Sequence, residues 1–163
     1  MINGSLKGKK ILFISVSTFN LEVEIKNKLE SLGAIVTYFN ERPNNSNMTK
    51  AIIRVKKSIY KNKINNYYKT IISEIDGKDF DYLFVNKGEV VPVFFLEYFI
   101  EKFPSFKRIF YCWDSFANNP NALNIIKYFD QKSTFDPVDS VTYGLNFRPL
   151  FFLDEYKGLK KGK

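Results

Sequence analysis

Histidine is absent from the 163 residues, and cysteine and tryptophan occur once each, side by side at Cys112 and Trp113. Without histidine, a Ser-His-Asp triad, a His-activated nucleophile and an ordinary zinc site are excluded. A lone thiol permits neither a disulfide within the chain nor a cysteine-based metal site. No apolar run approaches the roughly 18 residues of a membrane-spanning helix, and no N-terminal run has the make-up of a signal peptide, so a cytoplasmic protein is expected. Glycine signatures for phosphate are missing as well. The stretch Val16 to Asn20 does not supply Gly-x-Gly-x-x-Gly, which disfavours a dinucleotide-binding enzyme of the usual kind. Acid is missing from one long segment: between Pro43 and Ser73 stand seven cations (Lys50, Arg54, Lys56, Lys57, Lys61, Lys63, Lys69) and no Asp or Glu.

What is present is an aromatic, globular composition. Phenylalanine occurs 17 times and tyrosine 10 times, enough to fill the core of one domain of this length. The net charge of +8 makes anionic partners worth considering without choosing among nucleic acid, lipid head groups and phosphorylated metabolites. Nucleic acid is the least expected of these, because no reading motif or interleaved exposed aromatics accompany the charge.

The chain is organised around Lys107-Arg108-Ile109-Phe110-Tyr111-Cys112-Trp113-Asp114-Ser115, an apolar run of strand length that ends in a polar cluster. Ahead of it, Ile11 to Val16 reads as a first strand buried on both faces. A helix with Leu21, Ile25, Leu29 and Leu32 follows, stops at Gly33 and leads to a second strand, Ala34 to Phe39. Such a strand-helix-strand unit predicts a parallel pair. Residues Thr49 to Asp76 read as two helices or one long helix broken near Asn62. The basic face there is either solvated or, with Ile52, Val55 and Ile59, suited to an anionic membrane. Phe80 to Asn86 is a third strand, Pro92 opens a helix carrying Phe95, Phe99 and Phe103, and Pro120 opens another. A short strand at Ser133 to Phe135, a helix from Val138 to Tyr143 and an extended return at Phe147 to Leu150 complete the pattern. The expected fold is α/β, a Rossmann-like three-layer sandwich with a mostly parallel sheet, occupying residues 10–156 between a flexible stretch 1–9 and a loose basic tail 157–163.

In such a sheet the residues leaving the strands gather on one rim, where ligands bind. That places Thr18, Glu41, Arg42, Lys87, Gly88, Glu89, Trp113, Asp114, Ser115 and Asp136 together. Asp114 and Glu89 are the candidate general bases, because each follows a buried strand and partial desolvation raises a carboxyl pKa. Arg42 and Lys87 suit an anionic group. The competing readings are structural: Asp114 or Ser115 capping a helix, Glu89 paired with Lys87, and Trp113 filling core or pocket wall.

The order Phe110-Tyr111-Cys112-Trp113-Asp114-Ser115, Tyr128-Phe129-Asp130, Ser133-Thr134-Phe135-Asp136-Pro137-Val138-Asp139 and Tyr143-Gly144-Leu145-Asn146-Phe147-Arg148-Pro149-Leu150-Phe151 resembles the N-terminal half of CgeB-like and related lipopolysaccharide or capsule glycosyltransferases of the GT-B fold. Glu41-Arg42-Pro43 and Lys87-Gly88-Glu89 fit the same resemblance. It implies the acceptor-binding half of a transferase that moves a sugar from a nucleotide-sugar to a glycan or lipid-linked acceptor, truncated before its donor domain. Asp114, then Glu89, would deprotonate the acceptor, Arg42 and Lys87 would orient anionic groups, and no metal or cofactor would be needed. A second-domain protein and the inner face of the membrane are the further partners it implies. The alternative expectation is a non-catalytic module that senses a nucleotide or sugar in the rim pocket.

Overall fold

The structure, a computed structural model, describes residues 5–44 and 47–151; the side chains of 47–59 lie outside that description, as does the tail 157–163. The cations Lys50, Arg54, Lys56 and Lys57 and the apolar Ile52, Val55 and Ile59 therefore fall outside it too.

Among the described residues six strands form one sheet: β1 (Lys10–Ser15), β2 (Ile35–Asn40), β3 (Tyr82–Asn86), β4 (Lys107–Cys112), β5 (Gln131–Thr134) and β6 (Asn146–Phe147). Every pairing is parallel and the spatial order is β2-β1-β3-β4-β5-β6. The described helices between them are α1 (Leu21–Ser31), α2 (Asn47–Ile75), α3 (Val93–Lys102) and α4 (Pro137–Tyr143). This is the expected Rossmann-like α/β sandwich. Its first five strands follow the flavodoxin-like 2-1-3-4-5 order rather than the 3-2-1-4-5-6 order of dinucleotide-binding domains.

Several elements differ from the sequence reading for local reasons. The basic segment is one unbroken helix, since neither Gly nor Pro occurs between Pro43 and Gly77 to interrupt it. After Pro120 the chain makes two short 3-10 turns, Pro120–Asn124 and Ile126–Tyr128, instead of a helix. At the start of α1, Asn20 sits in the left-handed region, φ 61°, and its side chain makes no cap hydrogen bond. Buried Glu22 instead accepts from Ser17 Oγ (2.6 Å) and the Thr18 amide (3.0 Å).

Right-handed crossovers place helices by the direction in which the chain moves along the sheet. The step from β1 back to β2 puts α1 on one face, and every later step runs the other way, putting α2, α3, the 3-10 turns and α4 on the opposite face. That second face is the main core: Leu12, Ile14, Leu83, Val85, Phe110 and Cys112 from the strands meet Tyr68, Ile71, Phe95 and Phe99 from the helices. The α1 face holds only a small cluster around Ile11, Phe13 and Ala34, with Ile25 and Leu29 of α1 against it. Beyond β1 this face carries Tyr82 and Phe84, then Ile109 and Tyr111, in register and only half-buried. No described helix covers them. No helix among the described residues is long and apolar enough to cross a membrane.

Candidate functional site

The carboxyl ends of β1, β2 and β3 meet at the point where the connections diverge to opposite faces, the usual ligand crevice of an open α/β sheet. Here the chain fills that crevice with its own charges. The loop after β2 sends Glu41 and Arg42 over the end of β1 to the turn after β3. Glu41, fully buried, accepts from the amides of Gly88 (3.0 Å, Oε2) and Val90 (2.6 Å, Oε1). Two converging amides from a turn with positive φ at Lys87 (81°) and Gly88 (68°) form the kind of backbone concavity that binds anions, and a glutamate of the same chain occupies it. Burial pushes the Glu41 carboxyl up to about 7, with Glu89 adding to the rise, while the bond from Val90 and the charges of Arg42 and Lys87 oppose it.

Arg42 donates from Nε (2.9 Å) and from its terminal nitrogen to Glu89 Oε2, and both side chains are nearly inaccessible. The carboxylate expected to pair with Lys87 is thus held by Arg42. Two tyrosines of α2 fix the loop from below: the Tyr67 hydroxyl donates to the Asn40 carbonyl (2.7 Å) and the Tyr68 hydroxyl to that of Glu41 (3.1 Å). Desolvation raises both phenols, Tyr67 to about 12. They serve as donors.

Lys87 turns the other way. Its Nζ lies 3.4 Å from Asp114, and the two form, with Glu89 and Asn118, a polar pocket of about 340 Å3. The Asn118 amide donates to Asp114 (3.2 Å), and Asn119 donates to the Lys87 carbonyl (2.8 Å), tying the β3 and β4 exits together. Cys112 is buried behind this junction; its thiol donates to the Asp114 carbonyl (3.0 Å), and desolvation lifts its pKa to about 11, so it is not a poised nucleophile. Among the described residues no group of three acidic or sulfur ligands could hold a metal.

Of the expected site residues, then, Arg42, Lys87, Gly88, Glu89 and Asp114 are brought into one cluster. Ser115 closes the turn beside it, its Oγ accepting from Ala117 (3.3 Å). Thr18 is bound through its amide to Glu22 at the start of α1, Trp113 is half-buried with Phe151 6.3 Å away, and Asp136 caps α4 by accepting from Val138 and Asp139. Asn118, Asn119 and the crevice role of Glu41 went unread in the sequence. The turn-forming Asn-Asn-Pro before the 3-10 segment was the available signal. A separate, more apolar cavity of about 460 Å3 lies between α2 and the start of α3, lined by Ile64, Val90, Val93 and Phe94.

No family model matches the chain, and no curated protein does. Among solved structures it is similar to the RcsB response regulator of Salmonella typhimurium, at 14% identity and TM-score 0.44, with 88% of this chain and 63% of that chain covered. The isolated receiver domain of RcsB from Salmonella enterica serovar Typhimurium gives 15% identity and TM-score 0.43 over 85% of this chain and 92% of that one. The non-phosphorylated receiver domain of RcsB from Escherichia coli gives 18% and 0.39 over 88% and 100%. The chain spans under two thirds of the first of these proteins.

These neighbours are receiver domains and not GT-B halves, which corrects the expected membership of the CgeB-like glycosyltransferases. With it go the sugar-transfer function, the nucleotide-sugar donor, the glycan or lipid-linked acceptor, the second-domain partner and the alternative of a nucleotide or sugar sensor; the membrane expectation falls on side chains outside the described residues. The physical reason for the misreading lies in the motifs themselves. Phe135-Asp136-Pro137 is a helix start with Asp at the cap and Pro at the first helical position, and Lys87-Gly88-Glu89 is a positive-φ turn. Both are devices of α/β folds in general, so their order along the chain reported architecture and not chemistry.

Proposed function

We propose that this chain is a protein-interaction module that takes a helix of another polypeptide on the face of its sheet that no described helix covers beyond α1. The observation that carries this reading is the half-buried row Tyr82, Phe84, Ile109 and Tyr111 on the α1 face, with no described helix over it. Parallel sheets are ordinarily covered on both faces, since their strands are apolar on both. From β3 to β6 there are three strand spacings, about 14 Å, room for one helix about 10 Å across beside α1. The crevice, by contrast, is closed by the Arg42–Glu89 pair and by Glu41. Completing the burial of such side chains is worth up to about 2 kcal/mol each, enough in sum for a reversible complex.

Panning a displayed library of helical peptides, then photo-cross-linking from an unnatural residue at position 109, tests the reading. The expected binders cross-link from 109, compete with one another and are lost on Ile109→Lys but kept on Val141→Lys, a change on the far side of the domain. Binders indifferent to both Ile109→Lys and Phe84→Ser would overturn it.

A further inference from the structure

Two grooves lie on this face, about 410 Å3 against β1 and β3 and about 420 Å3 toward β5 and β6; they share Phe84, Ile109 and Gln131 and so form one trough. No Asp or Glu lines either groove. Arg148 lines the trough at its carboxyl end. Lys107, exposed and in register with Tyr82, stands on the same face at the amino end of β4. Neither cation makes an ion pair among the described residues, and Asp130, which senses the Lys107 charge, is already held by Arg108 at 2.6 Å.

We infer that the helix this trough accepts is an acidic amphipathic one, about thirteen residues long, with carboxylates in its first and last turns and an apolar stripe between them. The inference rests on the docking reading above and adds the chemistry of the partner. Its length follows from the register: Cys112 is level with Thr134 and Thr134 with Phe147, so Arg148 lies one residue beyond Cys112 and six strand positions from Lys107. Six positions are about 20 Å of strand, which a helix spans in about thirteen residues. A carboxylate at each end then meets a cation, while Leu or Phe at i, i+3, i+4 and i+7 meets Tyr82, Phe84 and Ile109. The net charge of +8 also favours an acidic partner at long range, and salt weakens that attraction.

Three fluorescein-labelled thirteen-residue peptides with one Leu/Phe stripe and Glu, Gln or Lys at the remaining positions, titrated against the whole chain by anisotropy, test this. At low salt the Glu peptide is expected to bind at least tenfold tighter than the Gln peptide, with the advantage shrinking to about twofold at 0.5 M salt. Lys107→Glu with Arg148→Glu should turn the preference toward the Lys peptide, whereas Lys61→Glu with Lys127→Glu, cations away from the trough, should leave it. Equal affinity for the Glu and Gln peptides would overturn the acidic partner while helix docking stands. Binding of all peptides unaffected by Ile109→Lys, or no binding at all, would overturn the docking reading itself. Binding that emerges only when residues 152–163 are removed would assign the trough to the chain's own segment and overturn the separate partner.

Discussion

Arg42 and Glu89, 47 residues apart, meet across the end of β1 with 4% and 7% of their side chains exposed. The contact links the exits of β2 and β3, strands that are not neighbours in the sheet. It also means that neither charge is available to a ligand without breaking a buried ion pair. Removing one partner should therefore cost far more than removing both. Arg42→Met or Glu89→Leu alone is expected to lower unfolding free energy by about 3–5 kcal/mol, and the double variant to recover most of that loss. Urea denaturation of the four proteins measures it. Additive losses in the double variant would show that the pair is not a closed unit.

Glu41 carries a pH dependence of definite sign. Its folded pKa of about 7 stands above the ordinary glutamate value, so the native state holds this proton more tightly than the unfolded chain does. Its contribution is fully present below the unfolded value, is lost as pH rises to about 7 and is constant above. Glu41→Gln removes the titration. The stability of wild type relative to this variant should fall by about 3 kcal/mol between pH 4.5 and pH 8, a difference in which the other acids cancel. Thermal or urea unfolding across that range reads it, and a pH-independent difference would contradict the burial of a titrating carboxyl.

Gly88 is required by space as well as by backbone angle. A Cβ there would stand 2.7 Å from a ring carbon of Phe110 and 2.8 Å from Ile125, both in the core. At Gly77, with φ +73° against +68°, nothing lies within 4 Å. Gly77→Ala should thus cost about 1 kcal/mol for the left-handed backbone alone, and Gly88→Ala that amount plus about 1–3 kcal/mol of overpacking. Differential scanning calorimetry of the two variants separates the contributions.

The alternation of strands and helices was legible over β1 to β4 because each holds an apolar run and the helices between them have Pro, Gly or a polar loop at their ends, whereas β5 (Gln-Lys-Ser-Thr) and β6 (Asn-Phe) carry no such run. The site was only half legible. The rim residues could be placed by topology, but which charge pairs with which depends on distances across loops, so Glu89 went to Arg42 and not to Lys87, and Glu41 was spent on the turn it holds. The organising strand shows a further limit. Ile109 to Trp113 reads as an apolar run of strand length, yet Phe110 and Cys112 are buried while Ile109 and Tyr111 are only half-buried. A continuous apolar run does not reveal whether both faces are covered, because coverage depends on where later helices go.

That difference between the faces gives the last prediction. Ile14 of β1 is fully buried in the main core, and Ile109 of β4 is half-buried on the face that no described helix covers. Truncating each to alanine removes the same atoms, so any difference in cost reports the surroundings and not the chemistry. Ile14→Ala leaves a cavity in a packed core and is expected to lose about 2–5 kcal/mol. Ile109→Ala gives up contacts on a surface that solvent already reaches, and the loss should be about 1 kcal/mol. If the trough binds a helix, adding a saturating peptide changes the order of the argument: the complex shields Ile109, and the gap between the two variants should narrow when stability is measured with peptide present, by the peptide's weaker hold on the variant. Chemical denaturation with and without the Glu peptide makes the comparison. Equal losses for the two variants in the free chain would mean that the face beside α1 is already covered.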